Sequence, residues 1–239
     1  MTQPLDVVLD AHGGLGRWQE ANTIRARGSI GGLSWTMRGQ EGILSTADMT
    51  ADVQQQRLVF EGFTGPGLLG VFAPDRVAVE TPDGEVVAER TSPRAAFAGH
   101  GPDTPWDRLH ALYFAGYAMW NYLTAPYLLT RPGVVVEGLG PWEDGGVSRR
   151  RLRATFPEAI ATHAREQTFH HDDAGLLRRH DYAAEVLGSR PAAHFCEKHV
   201  TESGLVFPTH RHVAPIDANG EVLPEPVLIT IDLAEISVA

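Results

Sequence analysis

The sequence predicts a mainly antiparallel β fold: a large curved sheet or incomplete barrel of about 11 strands, with one helix in its concave face. Short segments in which apolar and polar residues alternate recur along most of the 239 residues. Turn sequences such as Pro82-Asp83-Gly84 and Asn219-Gly220 separate many of these segments. One long helical pattern, at residues 104–124, interrupts the series. Because no internal repeat or linker divides the chain, we expect a single domain over residues 1–239.

Composition and charge exclude several classes of function. The chain carries 30 acidic and 20 basic side chains, a net charge of −10, which argues against nucleic acid and anionic membrane surfaces as partners. Cys196 is the only cysteine, so an internal disulfide is impossible. Residues 1–14 lack the basic and apolar regions of a signal peptide, and no segment has the roughly 18 apolar residues of a membrane span. We therefore expect a cytoplasmic protein.

The first part of the chain begins with a short helix and continues as strands. The helix is predicted over residues 4–12, because Gly13-Gly14 is a common way for a helix to end. Trp35 and Met37 alternate with Ser34, Thr36 and Arg38, so residues 34–38 are predicted as a half-buried strand. The strands predicted before the central helix are residues 23–30, 34–38, 42–52, 56–62, 68–72, 76–81 and 85–89.

The central helix is predicted from Thr104 to Thr124. Thr104 is the predicted N-cap, Pro105 suits the first helical position, and Asp107 lies three residues after the cap. The helix has no broad charged face, so we expect the strands to cover most of it. One face carries aromatic and imidazole groups at helical spacing, namely Trp106, His110, Tyr113, Tyr117 and Trp120.

After the helix the strand pattern resumes and continues to the C-terminus. Turn sequences again separate the segments, among them Asp144-Gly145-Gly146, Asp173-Ala174-Gly175 and Ser203-Gly204. We therefore interpret the central helix as an insertion into one continuous sheet. The candidate strands here are residues 134–138, 149–156, 164–171, 176–187, 193–201, 205–214 and 227–238, which gives 14 candidate segments in all for the roughly 11 strands expected in the sheet.

The order of these elements resembles that of proteins with the lipoprotein-carrier fold, the LolA/LolB-like half-barrel. The resemblance rests on Ala11-His12-Gly13-Gly14, on Trp18 and on the strand at residues 23–28. Segments 166–182 and 207–209 are similar to uncharacterised bacterial proteins of that fold. The resemblance implies an incomplete antiparallel barrel that is plugged by helices and shelters acyl chains. Because the carriers are exported and this sequence begins without a signal peptide, we do not expect lipoprotein transport itself.

One strand supplies polar candidates for a ligand site. Alternation along residues 176–187 places Arg178, His180 and Tyr182 on the inner face and leaves Arg179 and Asp181 to solvent. A buried Arg needs an anionic partner, which is either a carboxylate of the protein or an acidic group of a ligand. Both interpretations stay open at this point.

The central helix supplies candidates for acid–base chemistry. Asp107 lies three residues before His110, close enough to orient the ring, and Tyr113 and Tyr117 continue the same face. Together with His180 these are the candidate catalytic residues, in which a His moves a proton and a Tyr stabilises developing charge. The alternative is a core His and core tyrosines whose polar atoms are hydrogen-bonded within the protein.

Apolar candidates for a ligand site are Trp35, Met37, Trp106 and Trp120. These side chains suit the wall of a pocket for an aromatic or acyl ligand, because such sites are mostly apolar. The alternative is an ordinary core role. Their value for binding depends on whether a cavity exists.

Eleven histidines raise the question of a metal site. His210 and His212 lie on the same face of one predicted strand, but no third ligand can be placed. The sequence has no HExxH motif and no paired cysteines. We therefore predict no metal and no cofactor. His170-His171 precedes a turn and is predicted to be exposed.

Two functions from different classes follow from these candidates. The first is a cytosolic protein that holds a small apolar or amphipathic molecule, with an acidic head group as one option, in a cavity between the curved sheet and the central helix. The second is a cofactor-free isomerase, cyclase or hydrolase that uses His and Tyr acid–base chemistry in the same cavity. No nucleophile for covalent chemistry stands out.

Overall fold

A computed structural model describes residues 4–144 and 146–239 of the chain. The described residues form one sheet of 13 strands, compared with the predicted number of about 11. Six strands precede the central helix: β1 (Thr23–Gly31), β2 (Ala47–Asp52), β3 (Arg57–Glu61), β4 (Leu69–Ala73), β5 (Arg76–Glu80) and β6 (Val86–Thr91). Seven follow it: β7 (Val135–Asp144), β8 (Val147–Thr155), β9 (Glu166–His171), β10 (Leu177–Ala183), β11 (Pro191–Glu202), β12 (Leu205–Pro215) and β13 (Ile229–Val238).

The sheet consists of two antiparallel meanders, β1–β6 and β7–β13. They join where β1, the first strand of the chain, pairs with β13, the last. The order of the strands is β6-β5-β4-β3-β2-β1-β13-β12-β11-β10-β9-β8-β7. At the junction β1 pairs with β13, with Ile24 opposite Val238. A bulge at Gly28 shifts the register there, and a side chain at this position would overlap the carbonyl oxygen of Asp232. Within the described ranges β6 and β7 each have one partner strand, so the sheet curves without closing into a barrel.

The core lies on the concave face of the sheet. In β2, Ala47, Met49 and Ala51 are buried and alternate with half-buried residues, as expected for a strand with one face turned inward. These side chains and their counterparts on the other strands pack with the central helix into one hydrophobic cluster. The predicted fold class, a curved antiparallel sheet around a helical insertion, is confirmed. The extent of the domain, residues 1–239, stays a prediction.

The described helices are α1 (Pro4–Ala11), α2 (Leu15–Gln19), α3 (Leu33–Met37) and α4 (Arg108–Thr124). The short N-terminal helix is confirmed as α1. The central helix is α4, and every residue from His110 to Thr124 is buried, which agrees with the absence of a charged face. None of the helices in the described part of the chain is long and apolar enough to cross a membrane.

The start of the central helix was predicted three residues too early. Asp107, and not Thr104, is the N-cap: its side chain accepts the backbone N–H of His110 at 2.9 Å. Nδ1 of His110 lies 3.4 Å from the backbone nitrogen of Asp107, which completes a capping box. The hydroxyl of Thr104 accepts a hydrogen bond from the backbone of Gly101 instead, within the preceding turn.

Residues 33–37 form the helix α3, where a strand was predicted over residues 34–38. The left-handed φ of Gly32, 108°, ends β1, and the backbone N–H groups of Leu33 and Ser34 donate to Val227 and Leu228. Alternation over only five residues did not distinguish this turn of helix from a strand. The strands predicted at residues 42–52 and 176–187 are also shorter than predicted. Turns occupy the residues before β2, and a 3-10 helix (Glu185–Leu187) follows β10. In the predicted turn 144–146, Gly145 lies outside the described residues.

The close approach of α4 to the sheet depends on Gly116. A methyl group at this position would overlap Phe72 of β4. We expect Gly116→Ala to lower the free energy of unfolding by about 1–3 kcal/mol, because overpacking outweighs the helix propensity gained. Gly16→Ala in α2 is the matched control, since no atom lies within 4 Å of the added methyl. Urea unfolding measures both variants, and equal stabilities would show that α4 does not depend on this contact.

Candidate functional site

A mostly apolar cavity of about 320 Å³ lies beside α3. Its walls come from α3, from Phe114 of α4 and from β11, β12 and β13 with their flanking segments. Its volume is at the lower end of the range of about 300–1,000 Å³ that is typical of small-molecule sites. Apolar lining residues include Met37, Phe114, Leu187, Val213, Leu228 and Ile229, and polar ones are Ser34, Arg38, Tyr182 and Arg190.

The helix α3 directs two of the predicted ligand-binding residues, Trp35 and Met37, to different sides. Trp35 and Met37 are two positions apart, which is about 200° around a helix. Trp35 is buried and packs edge-on against Trp106 and Phe114, with ring centroids 6.1 and 5.7 Å away. Met37 is 37% exposed and lines the cavity. The structure therefore places Met37 at the cavity and Trp35 and Trp106 in the core.

Arg38 follows α3 and places a buried charge in the cavity wall. The residue is 4% exposed. One of its terminal nitrogens donates to the Ser34 carbonyl oxygen at 3.0 Å, and the guanidinium lies over the Trp106 ring, 4.9 Å from the centroid. Burial lowers the pKa of Arg38, and the charge of Asp103 acts in the opposite direction. The group stays protonated at neutral pH, because the ordinary Arg pKa is far above it.

Tyr182 connects the cavity to a buried network of hydrogen bonds. Its hydroxyl lies 3.0 Å from that of Tyr122, which lies 2.6 Å from Nε2 of His163. Nδ1 of His163 is 3.2 Å from the hydroxyl of Tyr117, and the His163 ring stacks on Tyr182 with centroids 4.0 Å apart. A neutral imidazole donates through one nitrogen and accepts through the other, so both His163 nitrogens are satisfied.

Burial keeps this network neutral. It lowers the pKa of His163 to about 3, with a further contribution from the charge of Arg94. It raises the pKa of Tyr182, and it raises the pKa values of Tyr117 and Tyr122 well above the ordinary range. Near pH 7 the network can therefore orient and hold a hydrogen-bonding group, but it contains neither a ready base nor a ready acid.

His180 is buried on the inner face, as predicted, but it does not line the cavity. Its Nε2 lies 2.7 Å from the side-chain oxygen of Gln167, and its ring stacks on Phe169 with centroids 4.1 Å apart. Burial lowers the pKa values of His180 and of the neighbouring His194 well below the ordinary range. These contacts are those of a packed core histidine.

Asp107 and His110 interact as predicted. A carboxylate oxygen of Asp107 lies 2.8 Å from Nδ1 of His110. Burial acts to raise the pKa of Asp107, but hydrogen bonds from Arg90 and from the His110 backbone outweigh it and lower that pKa to about 2. Nε2 of His110 lies 3.2 Å from the Ala96 carbonyl oxygen. Both ring nitrogens thus have partners within the protein, and His110 is not among the residues that line the 320 Å³ cavity.

The other residues of the predicted aromatic face have separate surroundings. Tyr113 lies 3.5 Å from Arg94 and lines a second cavity, of about 710 Å³, between the two meanders. Tyr117 belongs to the His163 network. Trp120 donates from Nε1 to the Asp52 carbonyl at 2.7 Å and lines a third cavity, of about 370 Å³. The five residues that helical spacing places on one face therefore do not line a common cavity.

Arg178 was predicted on the inner face, and this was wrong. A bulge between Leu177 and Arg179 shifts the pairing of β10 with β9, so simple alternation fails at this point. The Arg178 side chain is 36% exposed and donates to the carboxylate of Asp172 at 2.6 Å. Arg179, predicted in solvent, is buried and pairs with Asp181 at 2.6 Å. In both cases the anionic partner is a carboxylate of the protein.

His170 and His171 are buried, not exposed. They are 3% and 0% exposed, because Trp142 of β7 covers His170 at a ring distance of 4.8 Å and His171 turns inward. His170 Nε2 lies 3.0 Å from Asp181. Within the described ranges neither ring nitrogen of His171 has a hydrogen-bond partner.

Within the described part of the chain, one group could hold a metal ion. Ligand atoms of Glu197, His210 and His212 lie within 4.8 Å of one another. Nδ1 of His210 lies 2.6 Å from a carboxylate oxygen of Asp232, which would orient the ring as an outer partner does at metal sites. These residues do not line the 320 Å³ cavity. The expectation that the protein uses no metal and no cofactor stays a prediction.

The sequence interpretation missed Arg38, Phe114, Tyr122 and His163. His163 lies in an irregular segment between β8 and β9, where no regular alternation of apolar and polar residues shows which side chains point inward. Tyr122 and Phe114 lie on α4 but off its predicted aromatic face. Arg38 was assigned to the polar side of a strand that does not exist. The usable signal was a lone Arg beside Trp35 and Met37, between two glycines.

Comparison with solved structures identifies the fold. The chain superposes on a LolA superfamily protein from Nitrosomonas europaea with a TM-score of 0.53 and 9% identity, over 97% of this chain and 90% of that one. A DUF1329 family protein from Desulfovibrio piger gives a TM-score of 0.49 and 13% identity, over 99% and 94% of the two chains. No protein-family model and no curated protein sequence matches the chain. The expected LolA-like fold is confirmed.

The buried histidines make the stability of the fold depend on pH. The pKa of His163 is about 3 when folded and 6.5 when unfolded, so between these values the unfolded chain binds a proton that the folded chain does not. We expect the free energy of unfolding to fall as the pH falls from 6.5, by about 1.4 kcal/mol per pH unit from His163 alone. Urea unfolding between pH 7.5 and 5 measures the slope.

His163→Asn should reduce this slope by the contribution of one proton. Tyr122→Phe is the control, since it removes the 2.6 Å hydrogen bond to His163 but keeps the imidazole. It should lower stability and retain a steeper slope than His163→Asn. An unchanged slope in His163→Asn would show that His163 takes up no proton on unfolding.

Proposed function

We propose that the protein holds one small apolar or amphipathic molecule in the 320 Å³ cavity. The observation that carries the proposal is the lining of the cavity, which is mostly aliphatic and aromatic with few polar groups. Sites for small ligands have this composition, because apolar contacts supply affinity and a few polar groups fix orientation. Ser34, Arg38 and Tyr182 are the buried polar residues that line this cavity.

The shape of the fold supports this proposal. An unclosed curved sheet around a helix leaves space between the two that a barrel filled by its own side chains does not. At the rim of the cavity Met37 and Arg190 are exposed, so a ligand has a route from solvent. The proposal includes a cytoplasmic location and no nucleic-acid partner. A free, fully buried Cys196 and the net charge of −10 support these two parts.

A second candidate is a cofactor-free enzyme in the same cavity. The observation in its favour is that Tyr182 connects the cavity to Tyr122 and His163. Burial acts against it, because it raises the pKa of Tyr182 and lowers that of His163 to about 3. The residues predicted as catalytic, His110 and His180, have protein partners outside the cavity. Ligand binding is therefore the function that the geometry supports better.

Filling the cavity tests the proposal. We expect Ala192→Phe, in the cavity wall, to weaken binding of the neutral dye N-phenyl-1-naphthylamine by about tenfold or more, since the new ring occupies the ligand volume. Ala88→Phe is the matched control, because Ala88 is exposed on β6 and does not line the cavity. Dye fluorescence measures binding, and circular dichroism checks folding. Equal dye affinity in wild type and both variants would place binding elsewhere.

A further inference from the structure

We infer that the ligand is a single-chain amphipathic molecule with an anionic head group, and that Arg38 binds that head group. The inference rests on the proposed function and names the chemical class of the ligand. It is carried by two observations: a buried guanidinium without an anionic partner, and its position in the wall of an apolar cavity.

Arg38 has few partners for a buried cation. The residue is 4% exposed, and a guanidinium offers five N–H groups. One nitrogen donates to Ser34, and the face of the group covers Trp106. Among the residues that the structure describes, no carboxylate oxygen lies within 4 Å of Arg38, and the charge of Asp103 acts on it from beyond ion-pair distance. Burying a charge is costly unless it is paired, so Arg38 has unused capacity to bind an anion.

Other arginines of this protein show the usual arrangement. Buried Arg179 makes two hydrogen bonds to Asp181, at 2.6 and 2.9 Å. Half-buried Arg178 and Arg94 pair with Asp172 and Glu185. Each of these buried or half-buried guanidinium groups therefore pairs with a carboxylate of the protein. Arg38 departs from this pattern.

Arg211 is a second buried arginine without a carboxylate partner, but its surroundings differ. It donates to the Tyr122 carbonyl oxygen at 3.1 Å and lies over the Tyr122 ring at 5.0 Å. The space beside it is about 10 Å³, which is the size of one water molecule at most. Arg38 instead adjoins a cavity of about 320 Å³. Of these two buried arginines, only Arg38 therefore combines a charge that has no ion-pair partner with room for a ligand.

The rest of the cavity fits the apolar part of such a ligand. Phe114, Val213 and Ile229 contribute walls without polar side-chain atoms, and the volume of about 320 Å³ suits one chain rather than two. Exposed Arg190 at the rim adds positive charge near the opening. Arg binds carboxylate and phosphate through the same two-pronged geometry, so the shared feature is the anionic head.

The test compares three ligands with the same chain: decanoate, decyl phosphate and 1-decanol. We expect wild-type protein to bind at least one of the two anions about tenfold more tightly than decanol in calorimetric titration at pH 7.5. Arg38→Gln should remove this preference, because the anions lose about tenfold in affinity and decanol loses much less. Arg178→Gln, which alters an arginine already paired with Asp172, should keep the preference. The stronger of the two anions identifies the head group as carboxylate or phosphate.

The outcomes separate this inference from the proposed function. If all three ligands bind wild type equally well, the inference fails and the binding function stands. If none of them binds, nor the neutral naphthylamine dye, the proposed function fails. Should Arg38→Gln not fold, Arg38→Lys replaces it. A loss in anion affinity that exceeds the loss in decanol affinity several-fold supports the inference, because Lys keeps the charge and loses the forked geometry. Unchanged anion affinity in Arg38→Lys overturns it.

Discussion

The helix α4 is apolar on nearly every side, and the rest of the structure depends on how it is buried. All residues from His110 to Thr124 are out of solvent, so the sheet has to cover the helix around most of its circumference. Gly116 brings the helix against Phe72, and the two edge strands remain apart. Arg94 links the two meanders: it donates to the Thr162 carbonyl at 2.9 Å and pairs with Glu185. The open sheet is thus stabilised by packing on α4 and by the contacts of Arg94, as well as by the hydrogen bonds between its strands.

The same burial decides what chemistry the interior can support. His163, His180 and His194 all have pKa values lowered by desolvation, and the tyrosines around His163 have raised ones. A site for acid–base catalysis needs groups that titrate near the working pH. Around His163 the polar atoms satisfy one another through hydrogen bonds of 2.6, 3.0 and 3.2 Å, which favours a rigid, neutral wall. Such a wall stabilises the fold above pH 6.5 and supplies no group that titrates near neutral pH, and this is why we propose binding and not catalysis.

The fold was more predictable from sequence than the site. Hairpin turns and alternation recur in many segments, so an error in one, such as residues 34–38, leaves the sheet intact. The burial of α4 also follows from its composition alone. The site depends on single side chains whose direction is set by local irregularity: the left-handed Gly32 before α3, the bulge at Arg178 and the irregular segment that carries His163. None of these local irregularities repeats along the sequence. The alternation of apolar and polar residues therefore cannot locate them.

Arg178 and Arg38 show this difference between fold and site. The rule that a buried Arg requires an anionic partner was sound, but alternation applied it to Arg178, which the bulge in β10 turns toward Asp172. A one-residue slip moves a side chain to the opposite face of a strand, so no refinement of the pattern would have corrected the assignment. The residue to which the rule applies is Arg38, because α3 turns Trp35 into the core and leaves Arg38 stacked on Trp106 at the cavity. Because no carboxylate of the described residues pairs with Arg38 within 4 Å, we propose that the ligand supplies the negative charge there.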